Sequence, residues 1–198
     1  MIHISRGNSK MGAIMSVSLP AAATCRVCGC WDKCYARKLE RLRPSVAKSY
    51  QDNLDVLTET PDIYWREVEG AIMMSRYFRF HVSGDIPNAE YLTRMVEVAA
   101  RQPHCEILCF TKKFQLVNDY IAAHGNLPGN LHMIFSGWVG LEMVNPFSLP
   151  EAHVRFRDGT TTARDDAVEC EGNCTECACA GSGCWTLKKG EQVVFKEH

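Results

Sequence analysis

Tyr77-Phe78-Arg79-Phe80-His81-Val82-Ser83, followed by Gly84-Asp85-Ile86-Pro87-Asn88, is the stretch from which the fold is read. Its period is two. Phe78, Phe80 and Val82 fall on one face, and Tyr77, Arg79, His81 and Ser83 on the other, which predicts a strand. The glycine–proline turn then leads into a helix from about Ala89 to Gln102. Strands buried on both faces of a parallel sheet normally read as continuous apolar runs. An arginine and a histidine on one face therefore ask for a polar space beside the sheet.

The same grammar extends in both directions. Upstream, residues 1–12 are a polar arm and Ala13 to Leu19 is a strand. Met15, Val17 and Leu19 oppose Ser16 and Ser18, and Pro20 ends the run. Helices are predicted over Tyr35–Arg43, stopped by Pro44; over Ser45–Leu57, capped by Ser45; and from Pro61 to about Met74. Downstream come a strand at Glu106–Phe110, a helix at Lys113–His124 closed by Gly125, and a strand at Leu131–Phe135. A short strand at His153–Arg157 and a last edge strand at Gln192–Lys196 complete the pattern. Strands alternating with helices give an α/β fold with mainly parallel strands and right-handed crossovers. A complete eight-stranded barrel takes ~250 residues. The expectation is thus a partial, open barrel with outer helices and a ligand-holding interior, against a two-layer sheet with one wet face. Residues 1–150 would form the barrel, and 151–198 a cysteine-rich C-terminal segment packed on it.

The 198 residues carry a formal net charge of −1, with 23% charged and 46% hydrophobic residues. That balance gives no general pull toward nucleic acid, although Arg37, Lys38, Arg41 and Arg43 make one basic helix. No apolar run reaches the ~20 residues of a membrane span, and Met1–Lys10 lacks a signal-peptide core. A cytoplasmic protein is expected.

Nine of the eleven cysteines lie in two loops: Cys25, Cys28, Cys30 and Cys34, then Cys170, Cys174, Cys177, Cys179 and Cys184. In a reducing compartment such density reads as metal ligation rather than disulfides. A four-cysteine zinc site from Cys25-x2-Cys28 and Cys174-x2-Cys177 would leave five loop thiols unused. One or two iron–sulfur clusters use them more fully. Cys105 and Cys109 have no close partners and read as buried structural residues, and His81 and His132 as satisfied interior histidines. The first loop leaves the C-terminal end of the first strand, where ligands bind in parallel sheets. Ser83-Gly84-Asp85 and Thr111-Lys112-Lys113 leave the same edge. Asp85 suits either an amino or ribose group or a turn. Arg79, if it points inward, needs an anionic partner, and Cys34 would start a helix, a favourable place for a thiolate.

Thr24-Cys25, Cys30-x3-Cys34-Tyr35-Ala36-Arg37-Lys38, His81-Val82-Ser83-Gly84-Asp85, Cys174-x2-Cys177 and Cys184-Trp185 together resemble the gene-product-88 family of phage and prophage proteins, from about Ser16 to Trp185. That family is similar in plan to radical S-adenosylmethionine enzymes. The resemblance implies an iron–sulfur protein with [4Fe–4S] clusters. One would be held by Cys25, Cys30 and Cys34 with an open iron position, and one by Cys170, Cys174, Cys177 and Cys184. Cys28 and Cys179 would be extras, and Arg79, Ser83 and Asp85 would face the cofactor or substrate. Two departures weigh against S-adenosylmethionine. Arg37 stands where that enzyme loop has a third cysteine, and Ser83-Gly84-Asp85 replaces a glycine–glycine–glutamate turn. The expected function is an iron–sulfur, redox-related protein acting on an unnamed small molecule or redox partner, as a radical enzyme or other oxidoreductase. The alternatives are a non-catalytic iron–sulfur protein for electron transfer, sensing or partner binding, and a zinc-stapled structural protein.

Overall fold

Arg79 and its neighbours lie well inside an eight-stranded sheet. The structure, a computed structural model, describes residues 1–25 and 29–197. In chain order the strands are β1 (Ile4–Ser5), β2 (Met15–Val17), β3 (Tyr77–Phe80), β4 (Glu106–Thr111), β5 (Leu131–Ser136), β6 (Glu151–Arg155), β7 (Val168–Glu169) and β8 (Gln192–Lys196). Their order across the sheet is β1-β2-β3-β4-β5-β6-β8-β7. Every pairing is parallel except β1 with β2. The sheet is mixed, mostly parallel and not closed, with helices on its outer side, as the alternation predicts.

The helices are α1 (Ala21–Thr24), α2 (Tyr35–Leu42), α3 (Pro44–Glu59), α4 (Pro61–Met73), α5 (Ala89–Arg101), α6 (Phe114–His124) and α7 (Cys174–Ala180). Pro44 both stops α2 and opens α3, where a missing N–H costs nothing. Ser45 therefore does not cap α3 as predicted. Asn88 caps α5 by accepting from the Tyr91 amide at 2.9 Å.

Two apolar layers flank the sheet. On the outer side Phe78, Phe80, Ile107, Met133 and Phe135 pack against Tyr64, Trp65 and Ile72 of α4, Leu92 and Met95 of α5, and Val117 of α6. On the inner side Leu108, Ile134, Ala152 and Val193 pack against Met11, Ile14, Cys177, Ala178 and Trp185. The inner face is thus half filled by the cysteine-rich segment rather than left wholly polar. That segment is also tied to the N-terminal arm. The Cys174 amide donates to the Lys10 carbonyl at 3.0 Å, and Thr175 Oγ1 donates to the Met11 carbonyl at 2.8 Å and accepts from the Ala13 amide at 3.1 Å.

Three details depart from the expected pattern. Gln192–Lys196 is an internal strand between β6 and β7, not an edge. β1 and β7, of two residues each, are additional edge strands. The period-two reading of 77–83 also breaks at His81, whose φ of 58° lies in the left-handed region. The break reverses the phase. His81 meets the rings of Phe80 and Tyr91 on the outer side, while Val82 packs against the inner cluster.

Candidate functional site

A cavity of about 640 Å³ opens at the C-terminal ends of β3, β4 and β5. All ten residues singled out as ligands from the sequence line it: Cys25, Cys30, Cys34, Arg79, Ser83, Asp85, Cys170, Cys174, Cys177 and Cys184. Residues separated by about 150 positions in the chain thus share one wall. Lys112 and His81, which carried lesser roles in the sequence reading, line it as well.

The turn after β3 is the hub of this end. Gly84 has φ +83°, and a Cβ there would stand 2.6 Å from the Leu19 carbonyl oxygen and 2.8 Å from Thr24 Oγ1. Only glycine fits. The Asp85 amide donates to Thr24 Oγ1 at 3.0 Å, which fastens α1 to the turn. The buried Asp85 carboxylate accepts from Thr111 Oγ1 at 2.6 Å and from the amides of Lys112 and Ile86 at 2.9 and 2.8 Å. Burial raises its pKa, and these donors oppose the rise. Ser83 Oγ donates to Glu40 of α2 at 2.5 Å, and the same carboxylate oxygen accepts the Ala21 amide at 3.0 Å. Glu40 therefore locks α2 to the strand end, a role its place in a basic helix does not signal.

Cys34 sits at the N-cap of α2. Its thiol is lowered from 9.0 to about 6, chiefly by a hydrogen bond from the Cys30 side chain. Burial works in the other direction, and the amides of Arg37 and Ala36 and the charge of Lys112 lower it further. Cys34 makes no close capping bond, so those amides act on its sulfur at longer range.

Arg79 lays its guanidinium 4.8 Å from the centre of the Phe110 ring. Its Nε is buried without a hydrogen-bond partner, and no carboxylate pairs with it among the described residues. Lys112 Nζ donates to Ser136 Oγ at 3.0 Å and likewise has no carboxylate ion pair among them. His81 is only 3% exposed. Neither ring nitrogen has a partner among the described residues, so it is not the satisfied interior histidine expected. Burial, and then the charge of Arg79, push its pKa from 6.5 down to about 3, and it stays neutral. His132, by contrast, bonds Glu106 at 2.6 Å.

The second thiol group has another character. Cys177, Cys174, Cys184 and Cys170 pack in or against the inner apolar cluster around Trp185. Cys184 is pushed up to about 12, first by burial. Cys177 is raised by burial and then by Glu171, whose carboxylate lies 3.9 Å from its sulfur. Cys179 is exposed, and Cys28 lies outside the described residues. Cys105 and Cys109 are buried on the outer side, as expected.

These placements overturn the iron–sulfur reading. Among the described residues no group of three or more His, Cys, Asp or Glu side chains is arranged to hold a metal ion. The [4Fe–4S] cofactors and the iron–sulfur oxidoreductase or radical-enzyme activity fall with that reading, while the four-cysteine zinc site would need Cys28, which lies outside the described residues. The reason is local. Cys34 stands at the start of α2 beside Cys30, whereas the second set packs in or against the apolar cluster around Trp185. Thiols that lie near one another are not by that alone arranged as a ligand set.

No helix among the described residues is long and apolar enough to cross a membrane. Among known protein families, the profile of the Gene product 88 family matches residues 3–140. No match was found among curated proteins or among solved structures. The match does not extend to radical S-adenosylmethionine enzymes. The chain belongs to the Gene product 88 family.

Proposed function

We propose that this member of the Gene product 88 family is a binding protein for a small organic anion, held in the cavity above β3–β5. The observation that carries the reading is Arg79. A guanidinium nitrogen that has left water and found no acceptor costs on the order of 1–3 kcal/mol, more for a charged group. A carboxylate or phosphate oxygen would repay that cost with a charge-assisted bond. Lys112 adds a second positive charge, and Phe110, Val82 and Trp185 give an apolar surface for the rest of the molecule. A concave, largely apolar chamber with a few converging polar groups is the usual form of a small-molecule site. Asp85 and Ser83 support this wall through their hydrogen bonds to Thr111, Lys112 and Glu40.

Titration calorimetry with a panel of aromatic and aliphatic carboxylates and phosphate monoesters tests it. At least one member should bind the wild type, and Arg79→Met should weaken that binding by about tenfold or more. Equal binding of every anion by Arg79→Met and the wild type, or binding of none, would overturn the reading.

A further inference from the structure

Anion binding leaves one chemical feature of the cavity unused. Two thiols, Cys30 and Cys34, face it together, and the Cys30 side chain hydrogen-bonds the Cys34 sulfur. Lys112 and the first amides of α2 stabilise negative charge at that sulfur. Arg79 Nε stands without a hydrogen-bond partner among the described residues along the same wall. A sulfur at a helix start, a second sulfur hydrogen-bonded to it and a cation without a carboxylate among the described residues therefore share one chamber. The second thiol group differs in its surroundings: the Cys177 sulfur lies 3.9 Å from the Glu171 carboxylate, and burial raises both Cys177 and Cys184.

We propose that Cys34 is a covalent capture site for low-molecular-weight disulfides bearing carboxylates, with Cys30 as the resolving thiol. The choice of an acidic disulfide rests on the anion reading of Arg79; the capture chemistry rests on the thiol pair. The Cys34 thiolate attacks one sulfur of R–S–S–R. A Cys34–S–S–R bond forms as the original S–S bond breaks, and the departing R–S⁻ takes a proton from solvent. Cys30, after losing its proton to solvent, attacks the Cys34 sulfur of the mixed disulfide. A Cys30–Cys34 bond forms and the second R–S⁻ leaves. Two protein thiols are oxidised by two electrons, and one small disulfide is reduced to two thiols.

The test uses the full chain, reduced and desalted under nitrogen, with oxidised glutathione as the acidic probe and 2-hydroxyethyl disulfide as the neutral one. Time-resolved intact mass and peptide mapping read the products. In Cys30→Ser the mixed disulfide should accumulate on Cys34; in the wild type it should pass to a Cys30–Cys34 bridge. Cys34→Ser should slow the first exchange at least about tenfold. Mapping on the wild type needs no variant to fold: a first adduct on any cysteine other than Cys34 would overturn the proposal. Arg79→Met should slow glutathione exchange by a larger factor than exchange with the neutral probe. If Cys34 is captured and Arg79→Met affects both probes alike, the acidic class is wrong and the capture stands. If carboxylates bind through Arg79 but Cys34 stays unmodified, the capture is wrong and the anion reading stands.

Discussion

The two thiol groups that meet at the cavity are built from the same residue and behave as opposites. Cys34 stands at a helix start, near Lys112 and hydrogen-bonded by Cys30, and is lowered to about 6. Cys184 is sunk beside Trp185 and is pushed up to about 12. One sulfur is a charge held in an electropositive niche, and the other is a small apolar side chain. The difference teaches that cysteine density reports no chemistry by itself. Which backbone amides, cations and carboxylates surround each sulfur decides whether it is a nucleophile or packing.

The largest expected effect is in reactivity. At pH 7 iodoacetamide should alkylate Cys34 at least about 100-fold faster than Cys184, with the Cys34 rate half-maximal near pH 6. Lys112→Met should move that midpoint upward. Equal labelling of both groups, read by peptide mapping, would erase the contrast. Next is the packing side. Trp185 is 5% exposed, meets Tyr77 edge-on at 5.0 Å and donates to the Cys174 carbonyl at 3.2 Å. Trp185→Ala should cost about 3–5 kcal/mol in urea unfolding, and a loss under about 1 kcal/mol would show that the second group is not a packed core.

The next effect depends on pH. His81 is neutral in the fold down to about pH 3 but titrates near 6.5 when unfolded. Above 6.5 both states carry it uncharged. As the pH falls from 6.5 toward 3 the unfolded chain gains a proton that the folded chain refuses, so stability is lost across that window. At pH 5 the loss is about 2 kcal/mol. His81→Asn tolerates the left-handed backbone and should flatten this slope between pH 7 and 5, as read by denaturant titration. The smallest effect concerns the tie between arm and segment. Thr175→Val removes the bonds to Met11 and Ala13 and should cost about 1–2 kcal/mol.

Much of this was legible in the residues. The alternation of Phe78 and Phe80 against Arg79 set the sheet's two faces. The places of the two loops and of Ser83–Asp85 put ten residues at one end of the barrel, where the cavity lies. The failures have identifiable causes. β1 and β7 are two residues long and give no period. Gln192–Lys196 has a clear strand pattern, but nothing local encodes its neighbours. α7 was hidden because Cys174-Thr-Glu-Cys-Ala-Cys-Ala reads as a metal loop, while Asn173, which caps it through Thr175 and Glu176, reads as a turn residue. The left-handed turn at His81 was masked by polarity that continued to alternate past it.

The arm around Lys10–Ala13 and the segment at Cys174–Thr175 clasp each other from opposite ends of the sequence. A nascent chain can stack α4, α5 and α6 on the sheet's outer side early, since those contacts involve residues before about 135. Until translation has passed Trp185, however, Leu108, Ile134 and Ala152 lack their cover. The chamber is therefore finished late, only once the second half of its wall has been made.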